Sequence, residues 1–309
     1  MAEIVICEFM DQDAVDDLAR DFDVLYAPNL VDDTPALCKA LKGARALIVR
    51  NRTQVRGDVL AAGDALGVVG RLGVGLDKID VDACDARGIK VCPASGANSS
   101  SVAEYVVATA MMLLRSCYHG RHSMLAGKWP RAEMQGREVG GRTLGLIGFG
   151  GIARLTAKMA MALGMRVAAY DPLVKAGDPA WAEHAVTRME LNELLGVADV
   201  VSLHVPLIDS TRHLIDAASL KLMKTDAILI NTARGGVVDD AAVAEALRAG
   251  KLGGAALDVF EDEPVKAENP FKDTPNLILT PHIAGVTYDS NIRVSAVTAV
   301  NVRAVLSGE

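Results

Sequence analysis

The chain reads as an α/β protein of two doubly wound parallel-sheet domains, and three observations predict this class. Short apolar runs alternate with helix-like segments over the first ~95 residues, the pattern of a parallel sheet covered by helices. A second alternating series runs from 143 to 280, and one long, largely apolar helix separates the two. A length of 309 residues accommodates two domains, and 28 glycines suit many tight strand-to-helix turns.

Taken in order, IVICEF (4–9) is a strand, DAVDDLARDF (13–22) a helix and DVLYA (23–27) a strand. A helix follows over TPALCKALKG, then the strand ARALIVR (44–50), a helix near GDVLAAG and the strand LGVVGRLG (66–73). A helix over DVDACDARG and the short strand IKVC (89–92) close the first series. The segment from 99 to 118 is a helix whose apolar residues cover most of its circumference, which predicts burial on several sides and suggests a subunit interface. In the second series strands are expected at 143–148, 166–171, 199–205, 227–232, 254–259 and 276–281, with helical segments such as LNELLG and DAAVAEALRAG between them. The last 25 residues form one more helix with no strand after it, so the tail can return to the first domain.

Composition narrows the function classes. Half of the residues are hydrophobic and only 4% aromatic, so the cores are built from aliphatic residues and Met. A net charge of −7 argues against a nucleic-acid or anionic-membrane surface. No apolar run approaches the ~20 residues of a membrane span, and MAEIVICEFMDQD lacks the basic start of a signal peptide. Five cysteines without a C-x-x-C pair read as reduced residues of a cytoplasmic protein. No His/Asp/Glu cluster has metal-ligand spacing.

Residues 144–154, LGLIGFGGIAR, place Gly148, Gly150 and Ala153 in the G-x-G-x-x-G/A pattern between a strand and a helix. The pattern alone is weak. Its strength comes from the next strand, RVAAYD, which ends in Asp171, 21 residues after Gly150. A carboxylate there hydrogen-bonds the ribose hydroxyls of NAD and repels a 2′-phosphate, so NAD is expected rather than NADP. The pyrophosphate would sit on the helix start at Ile152. A second glycine pair, Gly73 and Gly75 in GRLGVGLDKID, lacks the third small residue and the acid, but its amides could hold a carboxylate.

Three strand ends of the second series carry unusual polar residues. Arg234 follows AILINTA, Asp258 closes GAALD and His282 follows LILTP. An Arg can clamp a carboxylate and polarise a carbonyl, a His can move the proton, and a carboxylate can support the imidazolium. EDEP offers Glu261, Asp262 and Glu263, and spacing does not choose among them.

The ordered series VGRLGVGLDKID, NSSSVAEYV, LGLIGFGGIAR, HVPL, INTARGGVVDD, GAALDVFEDEP and LTPHIAG resembles the D-isomer-specific 2-hydroxyacid dehydrogenases over roughly residues 68 to 285. The resemblance implies a Rossmann cofactor domain (98–285) inserted into a flavodoxin-like substrate domain (1–97 with 286–309). It also implies a homodimer. Arg234 becomes the substrate clamp, His282 the acid/base and Glu263 its partner, since the family's glutamate directly precedes the proline. Gly151 and Ile152 would hold the pyrophosphate, Asp171 the ribose, and Thr232, Ala233, Asp258 and Gly285 the far end of NAD. Gly73, Val74, Gly75 and Asn98 would face the 2-hydroxy or 2-oxo acid.

LIVRNRTQV carries Arg50 and Arg52 beyond a strand end and resembles the R-x-R-T stretch of the phosphoglycerate dehydrogenase branch. Either the two are solvated charges or they grip a second anion, which points to 3-phosphoglycerate or 3-sulfolactate. Glyoxylate or hydroxypyruvate reduction stays open, as does a non-catalytic NAD-sensing role. Formate dehydrogenases, which resemble this chain, have glutamine where Glu263 stands.

Overall fold

The computed structural model describes residues 2–118 and 120–308. The chain divides into two compact units, Met1–Asn98 with Val286–Glu309, and Ser99–Gly285. Asn98, read from the sequence as the first residue of the cofactor domain, groups with the first unit.

The first unit runs β1 (Ile4–Ile6), α1 (Gln12–Leu18), β2 (Val24–Tyr26), α2 (Thr34–Ala40), β3 (Ala46–Val49), α3 (Gly57–Ala62), β4 (Val68–Arg71), α4 (Val81–Ala86) and β5 (Lys90–Pro93). Its five strands are parallel in the order β2-β1-β3-β4-β5. Side chains alternate between the two faces of a strand, and the core follows that rule. Ile4, Ile6 and Ile48 pack with Leu18 of α1, while Val5, Leu47 and Val49 pack with Leu37 of α2 and Val59 of α3. The C-terminal helix supplies Val294, Ala299 and Val302 to the first of these layers. The chain leaves β1 toward β2 and then returns to the other side at β3, so β1 and β3 flank the switch point of this sheet.

The second unit begins with α5 (Ser99–Arg115), α6 (Arg121–Leu125), β6 (Thr143–Ile147), α7 (Gly151–Ala162), β7 (Arg166–Tyr170), α8 (Ala180–Glu183) and β8 (Thr187–Arg188). It continues with α9 (Leu191–Val197), β9 (Val200–Leu203), α10 (Ala217–Leu220), β10 (Ile228–Asn231), α11 (Asp240–Arg248), β11 (Gly254–Leu257) and β12 (Leu277–Leu279). The terminal helix of the first unit is α12 (Tyr288–Ser307). Seven parallel strands follow the order β12-β11-β10-β9-β6-β7-β8, with the switch point between β6 and β9. One face carries Leu144, Leu146 and Ile230 against Val106 and Ala110 of α5 and Ala153 and Ala157 of α7. The other carries Ile147, Val201 and Leu229 against Leu194 of α9 and Val243 of α11.

The expected strands are all present; most are shorter than their apolar runs because hydrogen-bonded pairing stops before the apolar residues do, and β5 is shifted by one residue to Lys90–Pro93. The helix expected over 99–118 stops at Arg115, where Ser116 takes a left-handed φ of 53°. Strand β8 was not read from the sequence: its two exposed residues, Thr187 and Arg188, carry no apolar signal.

Candidate active site

The nucleotide end of the second unit is built at the β6/β9 switch point, where doubly wound sheets hold their ligands. Gly148 leaves β6 at φ +94°, and a Cβ there would lie 2.5 Å from the carbonyl oxygen of His204 at the end of β9. Only glycine lets the two chains pass this closely. Phe149 locks the turn from below: its ring stacks on Trp181 at 4.5 Å, and Arg154 lies over it at 5.1 Å. Gly150 caps α7 with no side-chain bond, and a Cβ on Gly150 or Gly151 would meet nothing within 4 Å. Helix amides at Gly151 and Ile152 thus open onto a space that a side chain does not fill, which fits a pyrophosphate. Asp171, just after β7, accepts the Phe149 amide and the Leu173 amide, both at 2.8 Å. These bonds tie the acid to the glycine turn and leave lone pairs for a ribose.

Burial pushes His204 down to about 4, so its imidazole is neutral and pairs with Ser202 Oγ at 3.0 Å.

The reacting end is assembled from three turns. After β10 the buried Asn231 folds its own loop: its Oδ1 accepts from the Ala233 amide and its Nδ2 donates to the Arg234 carbonyl, both at 3.0 Å. Asn231 stands outside the residues expected from the sequence; its signal is an amide side chain closing an apolar strand. The Thr232 hydroxyl is buried without a hydrogen-bond partner among the described residues, an orphan that a bound cofactor group would satisfy. Gly235 lets the Arg234 turn press onto the next loop, since a Cβ there would lie 1.7 Å from the Phe260 carbonyl oxygen. Arg234 itself donates from Nη1 to the Ala233 carbonyl at 2.7 Å.

Glu263 and His282 meet side chain to side chain. Glu263 Oε2 lies 2.9 Å from His282 Nδ1, and Oε1 accepts the Phe260 amide at 3.1 Å. This pairing leaves His282 Nε2 to face a substrate. Burial pushes the Glu263 carboxyl up, but the His282 hydrogen bond and charge, the Phe260 amide and the Arg234 charge outweigh it and hold the group below its ordinary value. His282 stands at φ +56°, an unusual conformation for a non-glycine residue and one that clusters at functional sites.

Asp258 explains how that conformation is kept. Its carboxylate accepts the Thr280 hydroxyl at 2.6 Å and the amides of Ile283 and Ala284 at 2.8 Å, and its carbonyl accepts the His282 amide at 2.9 Å. Only 1% exposed, it is the organiser of the turn that carries His282 and leads to Gly285. The same carboxylate is the one that the family resemblance implies for the far end of NAD.

In the first unit the loop after β4 is wound around Arg71, whose Nε donates to the Gly75 carbonyl at 2.8 Å and Nη1 to the Leu72 carbonyl at 2.6 Å. The Gly73 amide is engaged by the Arg71 carbonyl at 2.8 Å. Of the three amides expected to face substrate, those of Val74 and Gly75 therefore stay available. Asn98 Oδ1 is buried with no partner among the described residues. Arg71 also stands outside the residues expected from the sequence. Its signal is a cation two residues before a G-x-G turn.

Arg50 and Arg52, read from the sequence as a pair, are separated by their surroundings. Arg50 is half-buried, its Nη2 bonded to Asn291 Oδ1 at 2.6 Å and its guanidinium over the Phe9 ring at 5.5 Å. Arg52 forms an ion pair with Asp32, and both side chains are about two-thirds exposed, at 60% and 64%. Among the described residues no group of three or more His, Cys, Asp or Glu could hold a metal ion, and no helix is long and apolar enough to cross a membrane.

Comparison with known proteins gives the relatives of the chain. The family described as "D-isomer specific 2-hydroxyacid dehydrogenase, NAD binding domain" matches residues 107–284. The chain is 54% identical over 307 residues to a protein of Chromohalobacter salexigens named (S)-sulfolactate dehydrogenase, with 99% of each chain covered. It is 38% identical to a D-3-phosphoglycerate dehydrogenase of Methanocaldococcus jannaschii, matching all of this chain and 58% of that longer protein. Among solved structures, D-lactate dehydrogenase from Aquifex aeolicus, complexed with NAD and lactic acid, superposes with a TM-score of 0.86 at 30% identity, covering 99% of this chain and 96% of that one.

Proposed function

The chain belongs to the D-isomer specific 2-hydroxyacid dehydrogenases, NAD-dependent oxidoreductases acting on the CH–OH group of a small 2-hydroxy acid, and from that premise we propose that its own substrate is D-configured 3-sulfolactate. The observation that carries this reading is the 54% identity to (S)-sulfolactate dehydrogenase across 99% of both chains. The (S) label agrees with a D-specific fold. In lactate the carboxylate outranks the methyl group, whereas the sulfur of a sulfomethyl group outranks the carboxylate. The same spatial arrangement is therefore R for D-lactate and S for D-sulfolactate.

Each candidate residue has a task in this reaction. The chemistry that bound NAD would supply is acceptance of the hydride from C2. His282 takes the hydroxyl proton as the C2–O bond becomes a carbonyl, so the products are 3-sulfopyruvate, NADH and a proton. Glu263 offsets the imidazolium charge. Arg234 clamps the carboxylate and polarises the C2 oxygen. Gly150, Gly151 and Ile152 receive the pyrophosphate, Asp171 the ribose, and Thr232 and Ala233 the far end of the cofactor. In the first unit Val74, Gly75 and Asn98 are assigned to the acid, and Arg50 to its distal sulfonate. Five free thiols support a reducing, cytoplasmic setting. A homodimer is the proposed assembly.

The test is NAD reduction measured on both enantiomers of 3-sulfolactate, D-3-phosphoglycerate, D-glycerate and glycolate. The highest kcat/KM is expected on (S)-sulfolactate. A higher value on D-3-phosphoglycerate would transfer the assignment to the phosphorylated acid, and a preference for glycolate would remove the distal anion altogether.

A further inference from the structure

The R-N-R-T loop is held by an anion from its own chain. Glu8, two residues beyond β1, is 4% exposed, and its carboxylate accepts four successive backbone amides of the loop beyond β3. Oε1 takes those of Arg50 and Thr53 at 3.0 Å; Oε2 takes those of Asn51 and Arg52 at 3.1 Å. Successive amides pointing at one spot form an anion-binding concavity. β1 and β3 are the two strands at the switch point of the first sheet, the place where such sheets bind ligands. The chain has thus filled the amide concavity of that crevice with a side chain, and an incoming anion must be read by side chains instead.

Which side chain is settled by the loop's neighbours. Phe9, next to Glu8, lies under the Arg50 guanidinium, and Asn291 in the first turn of α12 holds one of its nitrogens. The two contacts fix the plane of the guanidinium and leave its other N–H groups for a ligand. Arg52 is directed instead to Asp32. Thr53 ends the loop by packing its hydroxyl 3.4 Å from Cys7 Sγ.

We infer that Glu8 is a positioning residue for recognition of the substrate's distal anion, acting through Arg50 with Phe9 and Asn291, and that Arg52 stands outside the grip. This rests on the reading that the substrate carries a distal sulfonate. A neutral side chain at position 8 would present an amide N–H to four amide donors, so the loop would move and Arg50 with it.

The experiment compares KM for (S)-sulfolactate and for D-glycerate in Glu8→Gln, Asn291→Ala, Arg50→Ala and Arg52→Ala. Loss of one charge-assisted hydrogen bond is worth about tenfold in affinity or more. Arg50→Ala, Glu8→Gln and Asn291→Ala are each expected to raise KM for sulfolactate by about that factor, with a far smaller change for D-glycerate. Arg52→Ala is expected to raise neither by more than about twofold. If Arg50→Ala shows the split but Glu8→Gln changes both substrates equally or neither, the role of Glu8 is overturned and the substrate reading survives. If Arg50→Ala shows no split, the distal-anion reading itself falls. Should Glu8→Gln not fold, Asn291→Ala decides the preset of Arg50 without touching the buried carboxylate.

Discussion

Glu263 is engaged on both of its oxygens, one by a backbone amide and one by His282, so its orientation is set before any substrate arrives. If His282 is the proton carrier proposed for it, much of the rate depends on this pairing. His282→Ala is expected to lower kcat by about 10²–10⁴-fold, the usual worth of a positioned acid/base, with NAD affinity measured by fluorescence titration little changed. Glu263→Gln keeps the shape and removes the charge that favours imidazolium. The pH at which 2-hydroxy acid oxidation switches on should therefore move lower, as read from kcat/KM against pH. The same residue-scale logic applies to Asp171. Its carboxylate opposes a 2′-phosphate, so wild-type enzyme is expected to favour NAD strongly over NADP. Asp171→Asn removes the charge and keeps one of the two acceptor oxygens that take the Phe149 and Leu173 amides, and it should narrow that preference; equal efficiency with both cofactors in the wild type would remove the role.

At the scale of elements, the site depends on turns that touch backbone to backbone. Gly235→Ala would drive a methyl into the Phe260 carbonyl at 1.7 Å, and neither partner is a flexible side-chain end. The Arg234 turn and the Glu263 loop must then separate. Loss of turnover together with a lowered Tm is expected, and unchanged kinetics would show that the two loops do not need this contact. A second element-level effect lies at the start of α11, where Asp240 faces Asp239, Glu261 and His213. Burial, with the charges of Glu261 and Asp239, raises its carboxyl to about 6, against the lowering influence of the Glu261 amide and His213. An acid whose folded pKa is raised contributes stability below its unfolded value near 3.8, and loses that contribution as pH climbs through about 6. Asp240→Asn should therefore gain Tm relative to wild type at pH 7.5 more than at pH 5. A constant difference across that range would rule the linkage out.

On the scale of the whole molecule, the second unit exposes an apolar tract that the cores do not use. Met111, Met112, Met124, Leu125 and Trp129 lie on α5, α6 and the segment after them, with Leu125 75% and Trp129 77% exposed. Large apolar side chains gathered in one stretch mark an association surface, which supports the proposed homodimer. Light scattering at micromolar concentration is expected to give twice the chain mass, and Trp129→Asp combined with Leu125→Asp to give one. A monomeric wild type would dismiss the dimer and leave the tract unexplained.

Apolar periodicity and glycine punctuation determined the two parallel α/β series, the NAD fingerprint and the identity of Arg234 and His282 as candidates, while only the family resemblance picked Glu263 out of EDEP. These are local signals, because a strand, a tight turn and the residue just beyond it are neighbours in the chain. Tertiary structure alone decided what those residues lean on. Glu8 and Arg50 are 42 positions apart, Asp258 and Ala284 26, and Arg50 and Asn291 241, so their hydrogen bonds exist only once the strands are ordered. The same ordering separated two arginines that look equivalent in R-N-R-T, giving one to Phe9 and Asn291 and the other to Asp32. It also surrounded Asp258, expected at the far end of the cofactor, with donors from the turn that carries His282. A carboxylate's role depends on which donors surround it, and donors brought in from distant chain segments leave no local pattern to read.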